Sequence, residues 1–506
     1  MLEVEGHHKV RLRLTNEREE GSYLCLSHRW GGVVPLQLTS STIKPFQEAI
    51  RWPDLPRTFQ EAIDLTLRLG FRFIWIDSLC ILQDDLNDWR QEGSKMAAIY
   101  SGAHLTLAAT GSPDSHGGLY RPMSPYDTTL GSESRSGYGY PRFHPYVCEI
   151  PGLQGGASYC ISVTPSSQFP TKRLPLQQRA WFFQEWILST RIVHFTDTML
   201  YWECASEGKG EDASPADAEH LPQVGWRSTY LSFGRKVPTT LMSLSRLDRK
   251  TIIWHGIVYS YSRLQLSYPS DMLPALQGVA TRVAAERQSR YYAGLWEDTL
   301  IPDLLWRTIA PSSPGTCQGD PQAPSWSWAS SHDIFYQDWS WIKGAEYQSK
   351  FLPEASVVSI STQTAGDNPF GQVSDGRLVL QGLCLPAVQV ETTLIPLTSR
   401  NGLHEDIPAF KTTLSTYVLG EQKWRPDSDL TLAPDSSLML MLIGSWPRQK
   451  TAWAPYKAVY ESWLLAFQCV DQVNDVYRRV GVFWTRRLAY RARFLRHAIE
   501  QKLTII

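Results

Sequence analysis

Apolar positions over the first hundred residues follow two alternating periods. Tyr23-Leu24-Cys25-Leu26-Ser27 is a short apolar run ending in His28-Arg29-Trp30-Gly31-Gly32, the profile of a buried strand entering a loop. Leu55 to Leu69 then sets Phe59, Ala62, Ile63 and Thr66 at helical spacing, with Thr58 and Glu61 placed for a capping box and Gly70 as the stop. A second apolar run, Phe71 to Ile76, breaks into Asp77-Ser78-Leu79-Cys80. A polar start at Asp84, Asp85, Asn87 and Asp88 leads into a helix to about Tyr100, and Leu105 to Ala109 is a third strand. Strands separated by helices predict parallel βαβ units. Residues 23–27, 71–76 and 105–109 are expected as neighbouring parallel strands, with helices over 55–69 and 87–102 packed on the sheet.

Beyond this core the stretch 124–142 is rich in Ser, Gly and Tyr and reads as an exposed insertion. Arg179 to Trp186 reads as a helix and Arg191 to Cys204 alternates as a hairpin. Gly, Ser, Pro and Asp throughout 205–222 mark a linker. The expected organisation is an α/β region over 1–204 with its core at 20–204, the linker, a mainly helical region over 223–330, and a β-rich region over 331–506. That last region carries β-type runs at Ala355–Thr362, Arg377–Val390, Leu438–Ile443, Trp463–Val470 and Val480–Trp484. It closes on a basic amphipathic helix over Arg486–Ile506, whose charges are those of a solvated face.

Composition narrows the function classes. At 506 residues the chain is long enough for two or three packed units, and 42% apolar with 20% charged residues excludes a disordered chain. Lys+Arg 49 against Asp+Glu 50 leaves no global basic balance for nucleic acid or an anionic membrane, so a charged site has to be local. Met1 to Thr15 lacks the apolar centre of a signal peptide and no apolar run approaches a membrane span; a soluble, cytoplasmic location is expected. The eight cysteines form no C-x-x-C pair, which predicts reduced thiols and no metal centre. The 20 Trp, some clustered as Trp326 with Trp328 and Trp339 with Trp341, imply wide flat contacts inside a core.

The dinucleotide, P-loop, zincin and nucleophile-elbow motifs are all missing. What remains is chemistry at the carboxyl edge of the predicted sheet, where ligands of open α/β sheets bind. Ser27, His28, Arg29, Trp30 and Gly31 follow the first strand, and Asp77 and Ser78 follow the second. The next helix places Trp89, Glu92, Gly93, Met96 and Tyr100 on one face. A carboxylate on that apolar stripe is either paired, with Arg29 or Arg72 as the partner, or it lines a cavity. An Asp in the place of Asp77 ordinarily caps the next turn. Arg29 suits phosphate oxygens.

These residues resemble a known family. The blocks Tyr23 to Gly31, Leu55 to Ile63, Trp75 to Ile81 with Gln83-Asp84-Asp85, Asp88 to Glu92 with Met96, Ile99-Tyr100 and Ala103, Arg179-Ala180-Trp181, Gln184-Glu185, Leu188-Ser189 and Tyr201 to Cys204 resemble the fungal HET (heterokaryon incompatibility) domain. Later, Ala293 to Trp296 and Ala323 to Ser330 look like the region that follows the domain in many such proteins. Trp186 stands where an Arg is frequent in the family, and Gly93 weakens the helix after Glu92.

The resemblance implies nonself recognition and regulated cell death. It also implies a flavodoxin-like parallel sheet similar to that of TIR domains, some of which hydrolyse NAD with a helix-borne Glu near a Trp. Trp89 and Glu92 look like that pair. One expectation is therefore N-glycosidic cleavage of NAD or a related nucleotide, NAD being substrate and no cofactor being needed. Glu92 would be the catalytic carboxylate, Arg29 with Ser27 and the Gly31-Gly32 amides would hold the pyrophosphate, Trp89 or Trp30 would pack on a ring, and Asp77 would fix a hydroxyl or a loop. The other expectation is a non-catalytic module that signals by self-association or by binding other death-signalling proteins, with Glu92 structural.

Overall fold

Leu2, Val4, Val10 and Leu12 alternate with Glu3, Glu5, Lys9 and Arg11, and this period of two makes the N-terminus a hairpin of β1 (Leu2–Gly6) and β2 (Lys9–Leu12). The structure, a computed structural model, describes residues 1–15, 19–32, 34–120, 146–150, 159–163, 174–197, 200–204, 208–210, 246–308, 323–336, 351–390, 393–396, 423–427, 437–448, 459–485 and 488–506. The expected insertion at 124–142, most of the linker at 205–222, Trp339 and Trp341 lie outside these residues. Two units form, Met1–Leu231 and Ser232–Ile506.

In the first unit, β3 (Leu24–Ser27) is followed by the short α1 (Ile43–Glu48) and then α2 (Arg57–Arg68). β4 (Phe73–Ile76) runs into the one-turn α3 (Asp77–Cys80), and α4 (Leu86–Gly102) leads to β5 (Leu105–Ala108). β3 pairs in parallel with β4 on one side and β5 on the other, as the alternation of periods predicts. A two-stranded ribbon, β6 (Tyr146–Ile150) and β7 (Tyr159–Val163), stands apart. After it come α5 (Ala180–Leu188), β8 (Arg191–Phe195), β9 (Leu200–Cys204) and β10 (Gly208–Gly210). The eight-stranded sheet has the order β10-β9-β8-β5-β3-β4-β1-β2, parallel from β8 to β4 and antiparallel at both flanks.

The strand alternation sorts the two faces. Leu24, Leu26, Ile74, Ile76 and Leu107 join Phe59, Ala62 and Ile63 of α2 in one core. Cys25 and Trp75 point the other way, into a core with Met96 and Tyr100 of α4 and, at its margin, Trp181 of α5. The β3-to-β4 crossover moves one way along the sheet and the β4-to-β5 crossover moves back past β3, which puts their helices on opposite faces and makes the β3–β5 boundary the point where the strand order reverses. Asp85 caps α4 by accepting from the amides of Asn87 and Asp88. The capping box expected in α2 does not form. Pro56 holds the cap position, Thr58 accepts the Gly118 amide, and Glu61 accepts those of Leu119 and Tyr120, so both side chains fasten the loop after β5 instead.

The second unit begins with α6 (Arg246–Tyr261) and α7 (Gln277–Arg287), joined to a small ribbon of β11 (Tyr291–Tyr292) and β12 (Leu295–Trp296) and to α8 (Leu300–Asp303). β13 (Arg307–Thr308) pairs with β14 (Ile334–Phe335). The two late sequence blocks meet in this core. The Gly294 carbonyl accepts the indole N–H groups of Trp254 at 3.0 Å and Trp328 at 2.8 Å, and Ser327 donates to the Ala293 carbonyl. Gly294 has φ +98, and a Cβ there would stand 2.4 Å from Trp328 Nε1, so only glycine admits this contact.

The remaining strands are β15 (Leu352–Pro353), β16 (Ser356–Thr364), β17 (Val373–Val390), β18 (Thr393–Pro396), β19 (Lys423–Pro426), β20 (Ser437–Arg448), β21 (Val459–Asp471) and β22 (Val476–Thr485). Next follow α9 (Leu488–His497) and β23 (Ile499–Ile505). The pairings run β20-β21-β22-β23-β17 and return from β17 to β20, closing a ring around Leu385, Leu440, Leu442, Leu464, Val480 and Phe483. The basic helix expected to reach Ile506 stops at His497. Leu503 and Ile505 are buried at period two and enter the ring as β23. Arg491 anchors α9 with a forked bond to both Glu354 oxygens, 2.7 and 2.8 Å.

Among the described residues no helix is long and apolar enough to cross a membrane. Cys25, Cys80, Cys204, Cys384 and Cys469 are free thiols; the side chains of Cys148, Cys160 and Cys317 lie outside the described residues.

Candidate functional site

The carboxyl ends of β3 and β4 hold a dense set of polar groups. Ser27 ends β3 on the α5 side of the sheet and donates to Glu185 Oε2 at 2.5 Å. Both side chains are buried, on two elements 158 residues apart in sequence. The next carbonyl, that of His28, accepts from the Arg179 guanidinium at the N-terminal cap of α5. Asp77 is the first residue of α3 and not its cap, which is Ile76 with no side-chain cap bond; its carboxylate accepts the adjacent Ser78 amide at 2.7 Å and the Trp30 indole N–H at 3.0 Å. The Tyr100 hydroxyl reaches the Leu26 carbonyl at 3.3 Å.

Electrostatics here are governed by burial. Burial pushes the Glu185 carboxyl up to about 7, against the Arg179 charge and the hydrogen bonds of Ser27 and Tyr100; the Asp77 charge adds to the rise. Burial also pushes the His28 imidazole down to about 4, the Asp77 charge opposing and the Arg179 charge adding. His28 Nδ1 lies 3.7 Å from Asp77 Oδ1, and neither ring nitrogen has a hydrogen-bond partner among the described residues. Its ring packs edge-on against Phe59 at 4.8 Å. The buried Ser78 hydroxyl is likewise unpartnered among the described residues.

The structure thus brings Ser27, His28, Trp30, Asp77 and Ser78 together. The half-buried Arg29 makes no hydrogen bond or ion pair with a described residue through its guanidinium; its carbonyl accepts from Ser115 at 3.3 Å. Gly31 has φ +80, and a Cβ there would meet Asp114 Cβ at 2.3 Å, so the turn after β3 lies directly on the loop after β5. Trp89 packs edge-to-face on Trp181 at 5.8 Å.

Glu92 differs from both partners expected of it. It pairs with Lys95 of its own helix at 2.8 Å and stays 23% exposed, while Arg72 is taken by Glu3. The buried stripe of α4 is Gly93, Met96 and Tyr100, and Glu92 stands at its flank. Because Tyr23 bonds the Ile99 carbonyl at 2.7 Å, α4 ends beside the start of β3. Glu92 stands two turns before Tyr100, about 12 Å along the helix, and its one hydrogen-bond or ion-pair partner among the described residues is Lys95, so the structure does not join it to Ser27, Arg29 or Asp77.

Glu185 is the buried carboxylate that the periodicity of α4 leads one to expect at position 92. Its signal is in the sequence: Ala180 to Leu188 is apolar all round, and a helix of that kind is buried on every side together with any charge it carries. A second buried set lies one strand over, where His194 bonds Thr110 at 2.9 Å and Trp186 donates to Glu203 at 2.9 Å. Trp186, in the place of the family's frequent Arg, thereby joins α5 to β9. Among the described residues no group of three or more His, Cys, Asp or Glu is arranged to hold a metal ion.

Residues 23–185 match the family described as Heterokaryon incompatibility protein (HET), a stretch running from the start of β3 to Glu185 itself. This stretch is a HET domain, and it supports a role in heterokaryon incompatibility. No curated protein and no solved structure gives a significant match to the chain.

Proposed function

We propose, from the match of residues 23–185 to the HET family, that this domain acts in heterokaryon incompatibility by cleaving the N-glycosidic bond of NAD or a related nucleotide at the carboxyl edge of its sheet. The observation that carries the reading is the placement of Glu92. It is a partly exposed carboxylate one turn from Trp89 on the helix between β4 and β5, and in this reading it would face the edge where Arg29 is left without a partner among the described residues. Arg29 would take the pyrophosphate, the β3 turn the adjoining ribose, and Trp89 or Trp30 a ring face. In the reaction the C1′–N bond breaks and its electron pair leaves with the nicotinamide nitrogen. Glu92 faces the developing ribosyl cation; a water oxygen then bonds C1′ and gives its proton to that carboxylate and on to solvent. The resemblance to NAD-cleaving TIR domains supports this assignment by analogy only.

A second reading draws on the sealed condition of Ser27, Glu185 and Tyr100, which suits a rigid platform that signals cell death through self-association or partner binding. One variant separates the two. Glu92→Gln should lower nicotinamide release about a hundredfold and leave the melting temperature unchanged, since an exposed pair with Lys95 contributes under about 0.5 kcal/mol. Wild-type protein that releases no nicotinamide, whether dilute or concentrated enough to assemble, would exclude the enzyme reading.

A further inference from the structure

We infer that Glu185 and Arg179 are positioning residues: from beneath the sheet edge they fix the Ser27-His28 peptide and so set the direction in which Arg29 and Trp30 leave β3. This rests on the proposed function for its purpose and on geometry alone for its substance. Two consecutive residues, Ser27 at the end of β3 and His28 just beyond it, are held by α5 and its cap. The Ser27 side chain is held by Glu185, and the His28 carbonyl by Arg179, which stands at the cap of the helix that carries Glu185. A strand end is ordinarily free to turn once its ladder stops. β3 pairs with β5 as far as Ser27; beyond the His28 carbonyl the loop is held by Ser115 on the Arg29 carbonyl at 3.3 Å, by Asp77 on the Trp30 indole at 3.0 Å and by the turn of Gly31 on Asp114, so the α5 holds act at the first two residues of the exit.

The chemistry of the two holds differs, and this matters for the test. Glu185 acts as an acceptor for a hydroxyl, so any residue of that size with a carbonyl oxygen can replace it. Arg179 acts as a cationic donor to a peptide carbonyl. Nor is either required to touch substrate: Glu185 is enclosed by Ser27, Tyr100 and the body of α5, and the Ser189 hydroxyl closes on its carbonyl at 2.6 Å. Had the role of Glu185 been only to fill the core, Leu at that position would serve better than a carboxylate whose burial opposes its charge.

The test compares Ser27→Ala, Glu185→Gln and Glu185→Leu in the full chain by hydrogen exchange of the peptide spanning residues 28–32, beside the melting temperature and nicotinamide release. Glu185→Gln keeps an acceptor for Ser27, while Glu185→Leu and Ser27→Ala each abolish the bond. Positioning predicts about tenfold faster exchange over 28–32 in Ser27→Ala and in Glu185→Leu, near-wild-type exchange in Glu185→Gln, and no further change when Ser27→Ala is added to Glu185→Leu. Equal exchange in all variants overturns it, and so does an equal rise in Glu185→Gln and Glu185→Leu. The exchange readout needs no substrate, so a chain that releases no nicotinamide refutes the enzyme reading while the positioning role still stands or falls on exchange. Should Glu185→Leu fail to fold, Ser27→Ala against Glu185→Gln decides the matter alone.

Discussion

Acidification from about pH 8 to about pH 4 should cost Glu185→Gln about 3 kcal/mol of stability relative to wild type, and His28→Gln should gain a similar amount over the same range. The two signs follow from opposite displacements. Glu185 ionises at about 7 when folded and near its ordinary 4.5 when unfolded, so its contribution to stability is full below about 4.5 and is lost as pH rises through 7. His28 titrates at about 4 when folded and near 6.5 when unfolded. Its contribution is therefore full above about 6.5 and is lost as pH falls through 4. In the wild type the two oppose each other over one window and their sum is nearly flat. The groups that face them are Ser27 of β3, Asp77 of α3, Tyr100 of α4 and Arg179, with Phe59 of α2 against the imidazole. Replacing either residue with Gln exposes the slope of the other. Urea unfolding across the range, followed by hydrogen exchange of the β3 peptide, checks it; variant and wild-type curves that run parallel would sink the burial argument.

In the second unit, Arg479→Met is expected to destabilise by about 3–5 kcal/mol, and Arg479→Met with Asp427→Leu to recover most of that loss. Arg479 is buried and bonds Asp427 at 2.7 and 3.1 Å, donates at 2.5 Å to the carbonyls of Leu304 and Trp306, and lies 3.5 Å over the Trp306 ring. Burial shifts both partners toward their neutral forms, lowering the Arg479 value and raising that of Asp427, although each charge favours the other. The pair is thus limited by desolvation, and the large cost of the single change is the cost of an abandoned buried charge. Thermal unfolding of the two chains measures the difference; a double variant no better than the single one would contradict it.

How much of this was legible in the sequence depends on whether a local period decided the element. β3, β4 and β5 are apolar runs, α2 and α4 carry 3.6-residue stripes, and their alternation was enough for parallel order and for helices on the sheet. The hairpin of β1 and β2 also has a period of two but receives no element from the sequence, because its alternate charged residues find their place only when Glu3 is held by Arg11, Arg13 and, from the approach to β4, Arg72. Ring closure between β17 and β20 has no local signal at all, because pairing partners far apart in sequence leave the same pattern whether a sheet is open or closed. Within the site, Ser27, His28 and Asp77 were legible as groups at strand ends. Glu92 was placed one position too far inward, since the buried stripe of α4 passes through Gly93. Glu185 was hidden for a different reason: in an all-apolar helix every face is inward, and no period says which strand a carboxylate will meet.

The enzyme reading requires nucleotide binding at the carboxyl edge around β3, and hydrogen exchange of the full chain with and without ADP-ribose measures it. Slower exchange is expected in the peptides that contain Ser27 to Gly32, Asp77 to Cys80 and Trp89 to Glu92, with the ring of the second unit unchanged. Protection confined to other peptides, or none at saturating ADP-ribose, would contradict it.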